Sequence, residues 1–418
     1  MRKGTDTLVR SLSFYKIIGG ERKMRLFSNL FDDQLKRYFY KSPSSFTKYS
    51  PREILSYGLG GTLYMPATKK NINEDILTKK HVGLTSLVIC LEDAIGDNEV
   101  EKAEQMLLHE LSQLYEGIER GYIDIEELPL IFIRIRDRQQ LKRIVKLLGT
   151  RREVLTGIVI PKFRQENGES ILNEIAHLHS KSSPMYAMPI LETKEIIYKE
   201  TRGQELLAIK SLLDQYKDII LNVRIGATDF SGLFGIRRNS DTTVYDIAVI
   251  RDCIADIINM FVRLDSPYVV SGPVWEYFSS PERVLKPQIR ETPFLEKYGK
   301  EGLKLRQEII GSHIDGFIRE ILMDIANGIV GKTIIHPTHI QAVQALNAVS
   351  YEEYTDAALI LAEGNGEIGV LKSSFANKMN ELKPHLYWAQ KIMLKSETYG
   401  VLQNEYTYVD LLKQDNYV

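Results

Sequence analysis

Charged side chains stand directly after several short apolar stretches of this sequence. The segment SLVICLEDAIGD is the plainest case, because a run suited to a buried strand ends in Glu92 and Asp93. Later apolar stretches also end in polar residues, and these are Arg134, Arg136, Lys162, Glu192, Asp229 and His336. If the stretches are parallel strands of a barrel, these ends meet on one face, where barrel enzymes carry their chemistry. The recurrence favours a functional site over unrelated surface salt bridges.

Two of these end residues have the chemistry of metal ligands. Glu192 and Asp229 follow successive stretches, so two hard oxygen ligands could share a cavity and leave other positions to water and substrate. This arrangement suits Mg²⁺, with Mn²⁺ as the alternative ion. Ligands typical of zinc are missing from these ends apart from His336. Beside such an ion, Arg134 would bind a substrate carboxylate or phosphate, and an enolate would be stabilised. Taken singly, a buried Arg–Glu pair is equally a way to stabilise a barrel rim.

The elements that must position these residues follow a regular rhythm. Segments with helical periodicity, among them 98–118, 139–149, 202–216 and 245–261, alternate with short β-branched runs. The alternation predicts right-handed βαβ units, and eight runs favour an α/β fold closed into a TIM (β/α)8 barrel. A doubly wound open sheet is the alternative, but no GxGxxG motif follows the first run. The eight predicted strands are 62–68, 86–93, 130–137, 157–163, 186–192, 221–230, 268–273 and 332–337.

The barrel does not account for the whole chain. Residues 1–55 form a basic N-terminal extension, which we interpret as a capping segment rather than a nucleic-acid arm. Within it, the run Gly-Gly-Glu stands just ahead of Met24, and one choice of codons for this run reads as a purine-rich ribosome-binding site. We therefore expect translation to start at Met24, so that residues 1–23 are not translated. We assign 56–350 to the barrel, with an insertion at about 274–330 before the last strand. Residues 351–418 are predicted to form a C-terminal helical lid or oligomerisation segment.

Composition limits the classes of partner. The 418 residues carry a net charge of -1, which gives no electrostatic reason to expect nucleic acid or an anionic membrane as partner. No apolar run has the length of a membrane span, and the N-terminus lacks the apolar region of a signal peptide. The two cysteines, Cys90 and Cys253, are far apart and lie in apolar contexts, as reduced thiols do. These features predict a cytoplasmic protein without nucleic acid or membrane as partner, and Arg134 at a strand end predicts a small anionic substrate.

Seven motifs carry a resemblance to a known family. The stretches LYMPA, CLEDAIGDNEVEKA, IFIRIRD, IVIPK, ILET, IGATDF and GKTIIHPTHIQAV occur in the same order as in the citrate lyase beta subunit and malyl-CoA lyase superfamily of C–C bond lyases with a TIM barrel. The resemblance covers roughly 62–395. The chain looks most like a divergent branch encoded beside bacterial stress and tellurite-resistance genes. The resemblance implies Mg²⁺-dependent cleavage or formation of a carbon–carbon bond, of aldolase or Claisen type.

The resemblance also implies roles for individual residues. Arg134 stands where the family binds a substrate carboxylate or thioester oxygen, and Glu192 and Asp229 stand where it holds Mg²⁺. In the family, the C-terminal segment closes the site of a neighbouring subunit with an acid, for which Glu381 is the nearest candidate here. This implies a homo-oligomer, a trimer or hexamer, with the lid exchanged. We expect one of Glu92, Asp93 or Glu381 to move the proton, with Asp93 alternatively orienting Arg134. We expect Arg136, Lys162, Arg224 and His336 to bind substrate.

Three departures from the family pattern bear on the substrate. Gly60 and Gly61 replace the Arg-Ser pair that helps to hold CoA phosphates, so the use of a CoA thioester is left open. Cys90 and Arg164 replace two acids, which predicts a more cationic site and a phosphorylated or multiply anionic substrate. Two other functions remain alternatives. One is a Mg²⁺-dependent biosynthetic enzyme that handles phosphoryl or enolpyruvyl groups, and the other is a non-catalytic binding subunit.

Overall fold

The computed structural model describes residues 23–265, 268–278, 301, 313–363 and 369–413. The segment expected not to be translated, apart from Lys23, and most of the predicted insertion lie outside these residues. Twelve strands occur in the described part, and they are β1 Phe39–Lys41, β2 Gly61–Pro66, β3 Ser86–Cys90, β4 Leu130–Arg134, β5 Gly157–Ile160, β6 Tyr186–Leu191, β7 Val223–Ile225, β8 Val270–Ser271, β9 Lys332–Ile334, β10 Val370–Lys372, β11 Met379–Glu381 and β12 Val401–Leu402.

The helices of the same residues flank these strands. Amphipathic patterns place them on the outside of the sheet, as in α4, which buries Ala103, Leu107, Leu111 and Leu114 on one face. Their bounds are α1 Asp32–Tyr38, α2 Arg52–Gly58, α3 Ile72–Leu77, α4 Val100–Glu119, α5 Arg138–Leu148, α6 Gln165–Leu178, α7 Lys194–Ile197, α8 Lys199–Gln215, α9 Ala227–Leu233, α10 Ala248–Phe261, α11 His313–Ala326, α12 His339–Asn347, α13 Tyr351–Ala362, α14 Leu382–Tyr399 and α15 Tyr408–Leu412.

Strands β2 to β9 form a closed parallel barrel. Each strand pairs with the next along the chain, and β9 returns to pair with β2 through Gly61 opposite Lys332 and Leu63 opposite Ile334. A parallel bridge from Gly272, just after β8, to Lys332 completes the circle. Every predicted strand corresponds to one of these eight, so the predicted TIM barrel is confirmed. Strands with helices on one side and the barrel interior on the other are buried throughout, which explains their nearly continuous apolar sequences.

The described part of the N-terminal extension covers the end of the barrel where the strands begin. Leu26 and Phe27 are buried in the main core, and a Cβ atom at Gly60, just before β2, would meet the Leu26 side chain at 3.1 Å. The Arg52 guanidinium donates to the carbonyls of Lys217 and Ile220 in the loop that leads to β7. The extension thus packs on the end of the barrel opposite to the one where the strands finish.

The C-terminal helices α13 and α14 pack on each other around a small apolar cluster of their own, which includes Ala357, Ile360 and Ala389. β12, which follows α14, pairs antiparallel with β1 and so ties this unit to the N-terminal extension. The domain boundaries that the sequence suggested stay a prediction. In the described ranges, no helix has the length and apolar character required to cross a membrane.

A buried ionic network secures the last strand of the barrel. Lys332 of β9 lies 2.8 Å from the Glu320 carboxylate and 2.7 Å from that of Asp324, both on α11. Arg238 contacts Glu320 at 2.7 Å, and the Tyr245 hydroxyl donates to Asp324 at 2.7 Å. Burial raises the pKa of Asp324 to about 6 in spite of the neighbouring ammonium group. Two acids are thus balanced by two cations, and each charge depends on the others for its partner.

Replacing Lys332→Met should lower the free energy of unfolding by roughly 3–5 kcal/mol, because two buried carboxylates would lose their shared cation. Arg120→Met, which removes an exposed helix pair with Glu116 (3.1 Å), should cost less than about 1 kcal/mol. Urea unfolding of both variants measures the difference. Equal losses would show that the buried network contributes no more than a surface ion pair.

Candidate active site

Six charged residues meet at the open end of the barrel, each placed there by the end of a strand. Arg134 is the last residue of β4, and Glu92 and Asp93 follow β3 after one intervening residue. Lys162 lies two residues beyond β5, Glu192 directly follows β6, and Asp229 lies on α9 after β7. The convergence that the sequence predicted for these strand ends is therefore present in the structure.

Arg134 holds three of the carboxylates together. Its Nη2 atom lies 2.7 Å from Glu92 Oε2, 2.8 Å from Asp93 Oδ2 and 3.2 Å from Glu192 Oε1. Burial disfavours the charged guanidinium, but the carboxylates of Glu192 and Glu92 outweigh it and raise the Arg134 pKa further. Arg134 is accordingly a permanent cation at the centre of the cluster. Its side chain is already engaged, so an incoming substrate anion would share it with these acids.

Lys162 contributes through both its side chain and its backbone. Its Nζ atom contacts the Glu92 carboxylate and lies 3.1 Å from Asp93 Oδ1, while its backbone N–H donates to Glu192 Oε1 at 2.8 Å. The residue has φ of 46°, a left-handed conformation that costs a non-glycine residue energy and recurs at functional sites. Burial lowers the Lys162 pKa, but the contacts with Glu92 and Asp93 outweigh burial and raise it above the ordinary value.

Glu192 and Asp229 are the carboxyl groups of the cluster whose negative charge is compensated least by neighbouring cations. Glu192 is only 4% exposed, and burial raises its pKa to about 8 although Arg134 opposes the shift. Burial also raises the pKa of Asp229, and the nearby charges of Asp93 and then Lys162 act in opposite senses on it. Each of the two side chains interacts with the other. Two carboxyl groups in this situation hold a proton or a cation between them.

The charges of the cluster do not balance. When all four carboxyl groups are ionised, Glu92, Asp93, Glu192 and Asp229 provide four negative charges, against the two positive charges of Arg134 and Lys162. The surplus of two negative charges matches one divalent cation. Across the described residues, no group of three or more His, Cys, Asp or Glu side chains is arranged to bind a metal. Glu192 and Asp229 supply hard oxygen donors, and a pair of such donors fits an ion that takes its remaining ligands from water and substrate, as Mg²⁺ does.

Arg136, expected to bind substrate, and Arg164, expected to make the site more cationic, both have partners within the chain. The Arg136 guanidinium donates to the Leu91 and Ile95 carbonyls and to Asp97, so it fixes the loop that carries Glu92 and Asp93. Arg164 forms ion pairs with Glu166 at 3.2 Å and Glu195 at 3.4 Å. Both guanidinium groups have partners within the chain, because acids and carbonyls of neighbouring loops reach them.

The other predicted site residues lie at varying depths. Arg224 is fully buried inside the barrel and donates to Thr333 Oγ1 at 2.7 Å. His336 shares a hydrogen bond of 2.8 Å with the Thr338 hydroxyl, and its ring stacks on Phe278 with centroids 4.8 Å apart. Glu381 is exposed at the end of β11, and no contact within the described residues connects it to the cluster. Its role from a neighbouring subunit stays a prediction.

One local prediction was wrong. The stretch LNVRIGATDF was expected to be a strand with Asp229 at its end, but β7 stops at Ile225 and Asp229 lies in the first turn of α9. The chain turns at Gly226, where any side chain would collide with Glu192, because a Cβ atom there would lie 2.2 Å from Glu192 Oε2. The sequence reading overlooked this glycine, and its place just before ATDF was the available signal. The helical turn brings Asp229 back toward Glu192.

Comparison with known proteins now adds to this geometry. A family model described as C–C bond lyase of the TIM-barrel fold matches residues 53–401. The chain belongs to this family. Its structure is similar to that of a citrate lyase from Burkholderia xenovorans LB400, at 13% identity over 85% of this chain and 96% of that chain, with a TM-score of 0.54. This likeness shows a shared fold.

Two further solved structures are more distant. The protein CitE from Mycobacterium tuberculosis, in complex with magnesium, acetoacetate and coenzyme A, shares 16% identity over 82% of this chain and 99% of that chain, with a TM-score of 0.49. RipC from Yersinia pestis shares 16% identity over 69% of this chain and 94% of that chain, with a TM-score of 0.41. Among curated proteins, no significant match exists.

In this member of the C–C bond lyase family, Gly226→Ala should displace the Glu192 carboxylate, because the added Cβ atom and Oε2 cannot both occupy their positions. We expect the affinity for Mg²⁺, measured by isothermal titration calorimetry, to fall at least about tenfold, a change of roughly 1.4 kcal/mol. Gly203→Ala is the matched control, since no atom lies within 4 Å of a Cβ atom there and alanine favours the helix by about 0.5–1 kcal/mol. Equal Mg²⁺ affinity in both variants would contradict the placement of the site.

Proposed function

We propose that this chain is a Mg²⁺-dependent carbon–carbon bond lyase of aldolase or Claisen type, acting on a small molecule that bears carboxylate or phosphate groups. The observation that carries the proposal is the pair formed by Glu192 and Asp229. Burial raises the pKa of both carboxyl groups, and they belong to a cluster in which four acids face two cations. Membership of the C–C bond lyase family supports the reaction type.

Glu192 and Asp229 would hold the metal ion, and the remaining coordination positions would be left to water and substrate. When bound, Mg²⁺ supplies Lewis-acid chemistry, which polarises a carbonyl group and lowers the energy of the enolate formed when the neighbouring bond breaks. The protein prepares this arrangement in advance. Arg134 and the backbone N–H of Lys162 both bind Glu192 Oε1, which fixes the direction of its carboxylate before substrate arrives.

Asp93 is the carboxylate of the cluster best placed to move a proton. Its side chain is 49% exposed, against 11% for that of Glu92, so Asp93 can meet both substrate and solvent. A base at this position would take the hydroxyl proton of the substrate as the carbon–carbon bond breaks, and return a proton to the enolate fragment. Contacts with Arg134 and Lys162 hold Asp93 in a single position for this transfer.

The resemblance seen in the motifs supports further proposals about assembly and setting. We propose that the protein acts in the cytoplasm as a homo-oligomer, a trimer or hexamer, in which the lid of one subunit brings Glu381 to the site of the next. A role in the bacterial stress response, and Mn²⁺ as an alternative ion, belong to the same proposal. The use of a CoA thioester remains open, because Gly60 and Gly61 lack the side chains that the family uses for the CoA phosphates.

Deuterium exchange tests the proposed function without knowledge of the natural substrate. An enzyme that stabilises an enolate should exchange the C3 protons of pyruvate or oxaloacetate with D₂O, which proton NMR follows directly. We expect exchange to require Mg²⁺ and to fall at least about 100-fold in Glu192→Gln and in Asp229→Asn. Glu174→Gln, on the outer face of α6, should exchange at the wild-type rate. Exchange that survives EDTA, or that is unaltered in both ligand variants, would contradict the proposal.

The raised pKa of Glu192 also predicts a pH dependence. Its carboxyl group titrates near 8 in the metal-free fold and near 4.5 when exposed, so its contribution to stability is complete below about 4.5 and is lost as the pH rises through 8. Mg²⁺ has to displace this proton, and its affinity should therefore increase between pH 6.5 and 8.5, by up to about tenfold per unit. Calorimetric titration with Mg²⁺ at these two pH values measures the change, and an affinity that is constant across the range would contradict it.

A further inference from the structure

The turn between β5 and α6 holds Lys162 in a conformation that this type of residue does not favour. Its φ of 46° lies in the left-handed region, where a residue with a Cβ atom is strained and stays only if its neighbours fix it. In this conformation the Lys162 backbone N–H donates to Glu192 Oε1 at 2.8 Å, and the ammonium group contacts the Glu92 carboxylate. The contacts that maintain the turn therefore bear on a candidate metal ligand.

Asn167 binds this turn through both atoms of its amide group. Its Nδ2 atom donates to the Lys162 carbonyl oxygen at 3.0 Å, and its Oδ1 atom accepts the Arg164 backbone N–H at 2.9 Å. Asn167 is the third residue of α6, and a side chain at that position commonly accepts from the residue that precedes the helix. The bond to Arg164 is thus ordinary helix capping. The bond to Lys162 is additional, because capping of this kind needs no donor.

The other contacts of the turn hold Phe163, the next residue along the chain. The Phe163 N–H donates to the Ile190 carbonyl on β6 at 3.1 Å, and its ring is fully buried. The ring lies so close to Gly168 that a Cβ atom there would approach it to 2.5 Å. Among the described residues, Asn167 is the only one whose side chain donates to the Lys162 carbonyl oxygen. The strained residue is therefore held by Asn167 at its carbonyl and by Glu192 at its N–H.

We infer that Asn167 is a positioning residue of the candidate active site. By binding the Lys162 carbonyl oxygen, it maintains the left-handed backbone that directs the Lys162 N–H at Glu192 Oε1. Asn167 thus acts on Glu192 through Lys162, without contact with the ion or the substrate. The inference rests on the proposed function in one respect, which is that Glu192 is taken as a ligand of Mg²⁺. The link from Asn167 to Glu192 can be tested in the metal-free protein.

Asn167→Asp separates the two hydrogen bonds of Asn167. The aspartate has nearly the same shape, keeps an oxygen for the Arg164 N–H, and places its charge in the first turn of α6, where the helix dipole favours it. It has no hydrogen to donate to the Lys162 carbonyl. Gln165→Glu is the matched control, because it adds the same charge to the same exposed turn without removing a donor to Lys162.

Amide hydrogen exchange in the metal-free protein tests the first step, the hold on Lys162. NMR of isotope-labelled lysine amides should show the Lys162 N–H exchanging at least about threefold faster in Asn167→Asp, and at the wild-type rate in Gln165→Glu. The urea midpoint should be the same for the wild type and both variants, since the capping bond to Arg164 is kept. A lower midpoint with faster exchange throughout α6 would indicate a role in helix stability and overturn the inference.

Calorimetric titration with Mg²⁺ tests the second step, the effect on Glu192. A less firmly oriented Glu192 carboxylate should bind Mg²⁺ about three- to tenfold more weakly in Asn167→Asp, the range expected for the loss of one hydrogen bond. Gln165→Glu should bind within about twofold of the wild type. Equal losses in the two variants would trace the effect to the added charge and overturn the inference.

Two further results would contradict the inference. One is unaltered exchange of the Lys162 N–H in Asn167→Asp, and the other is faster exchange with an unaltered affinity for Mg²⁺. If the wild type itself binds no Mg²⁺, the proposed function fails, and the exchange measurement still decides whether Asn167 holds Lys162 against Glu192. The two failures are therefore distinguishable.

Discussion

Carboxylates that are buried close together repel each other strongly, and this constraint governs the open end of the barrel. Arg134 relieves the repulsion, because one guanidinium nitrogen lies within 3.2 Å of an oxygen of Glu92, of Asp93 and of Glu192. The compensation is incomplete at Glu192 and Asp229, where burial raises both pKa values. A divalent ion is the simplest group that removes the remaining imbalance. The arrangement of the chain's own acids thus defines the charge and the place of the proposed ion.

A second ionic network in the same barrel shows the contrast between structural and functional charge. Around Lys332, two cations meet two acids, every charge is buried and nothing is left over. That network joins α11 to the last strand, β9. At the end of the barrel where the strands finish, by contrast, the acids outnumber the cations, and the side chain of Asp93 is exposed to solvent. The N-terminal extension packs over the other end of the barrel. The surplus of acids and an exposed carboxylate therefore occur together at the end where the strands finish.

The sequence predicted the barrel well, because short β-branched runs alternate with helical segments in a pattern that is local to each unit. It also brought Glu92, Asp93, Arg134, Lys162 and Glu192 together, since the ends of parallel strands must meet. It did not predict the turn at Gly226, which depends on contact with another strand. The sequence also did not predict the partners of long side chains, because Arg136, Arg164 and Arg224 reach groups on neighbouring loops and strands. The pair Glu320 and Asp324, four residues apart on one face of α11, was a signal that went unused.

The most direct test of the account is a crystal of the protein soaked with Mn²⁺ and measured at a wavelength that reveals the anomalous signal of the ion. The account predicts one strong peak at about 2.1 Å from carboxylate oxygens of both Glu192 and Asp229, with the remaining ligands drawn from water or added oxaloacetate. The same soak of Glu192→Gln crystals should lose the peak. A wild-type map without density between these two residues, or with the ion bound elsewhere in the barrel, would contradict the central claim.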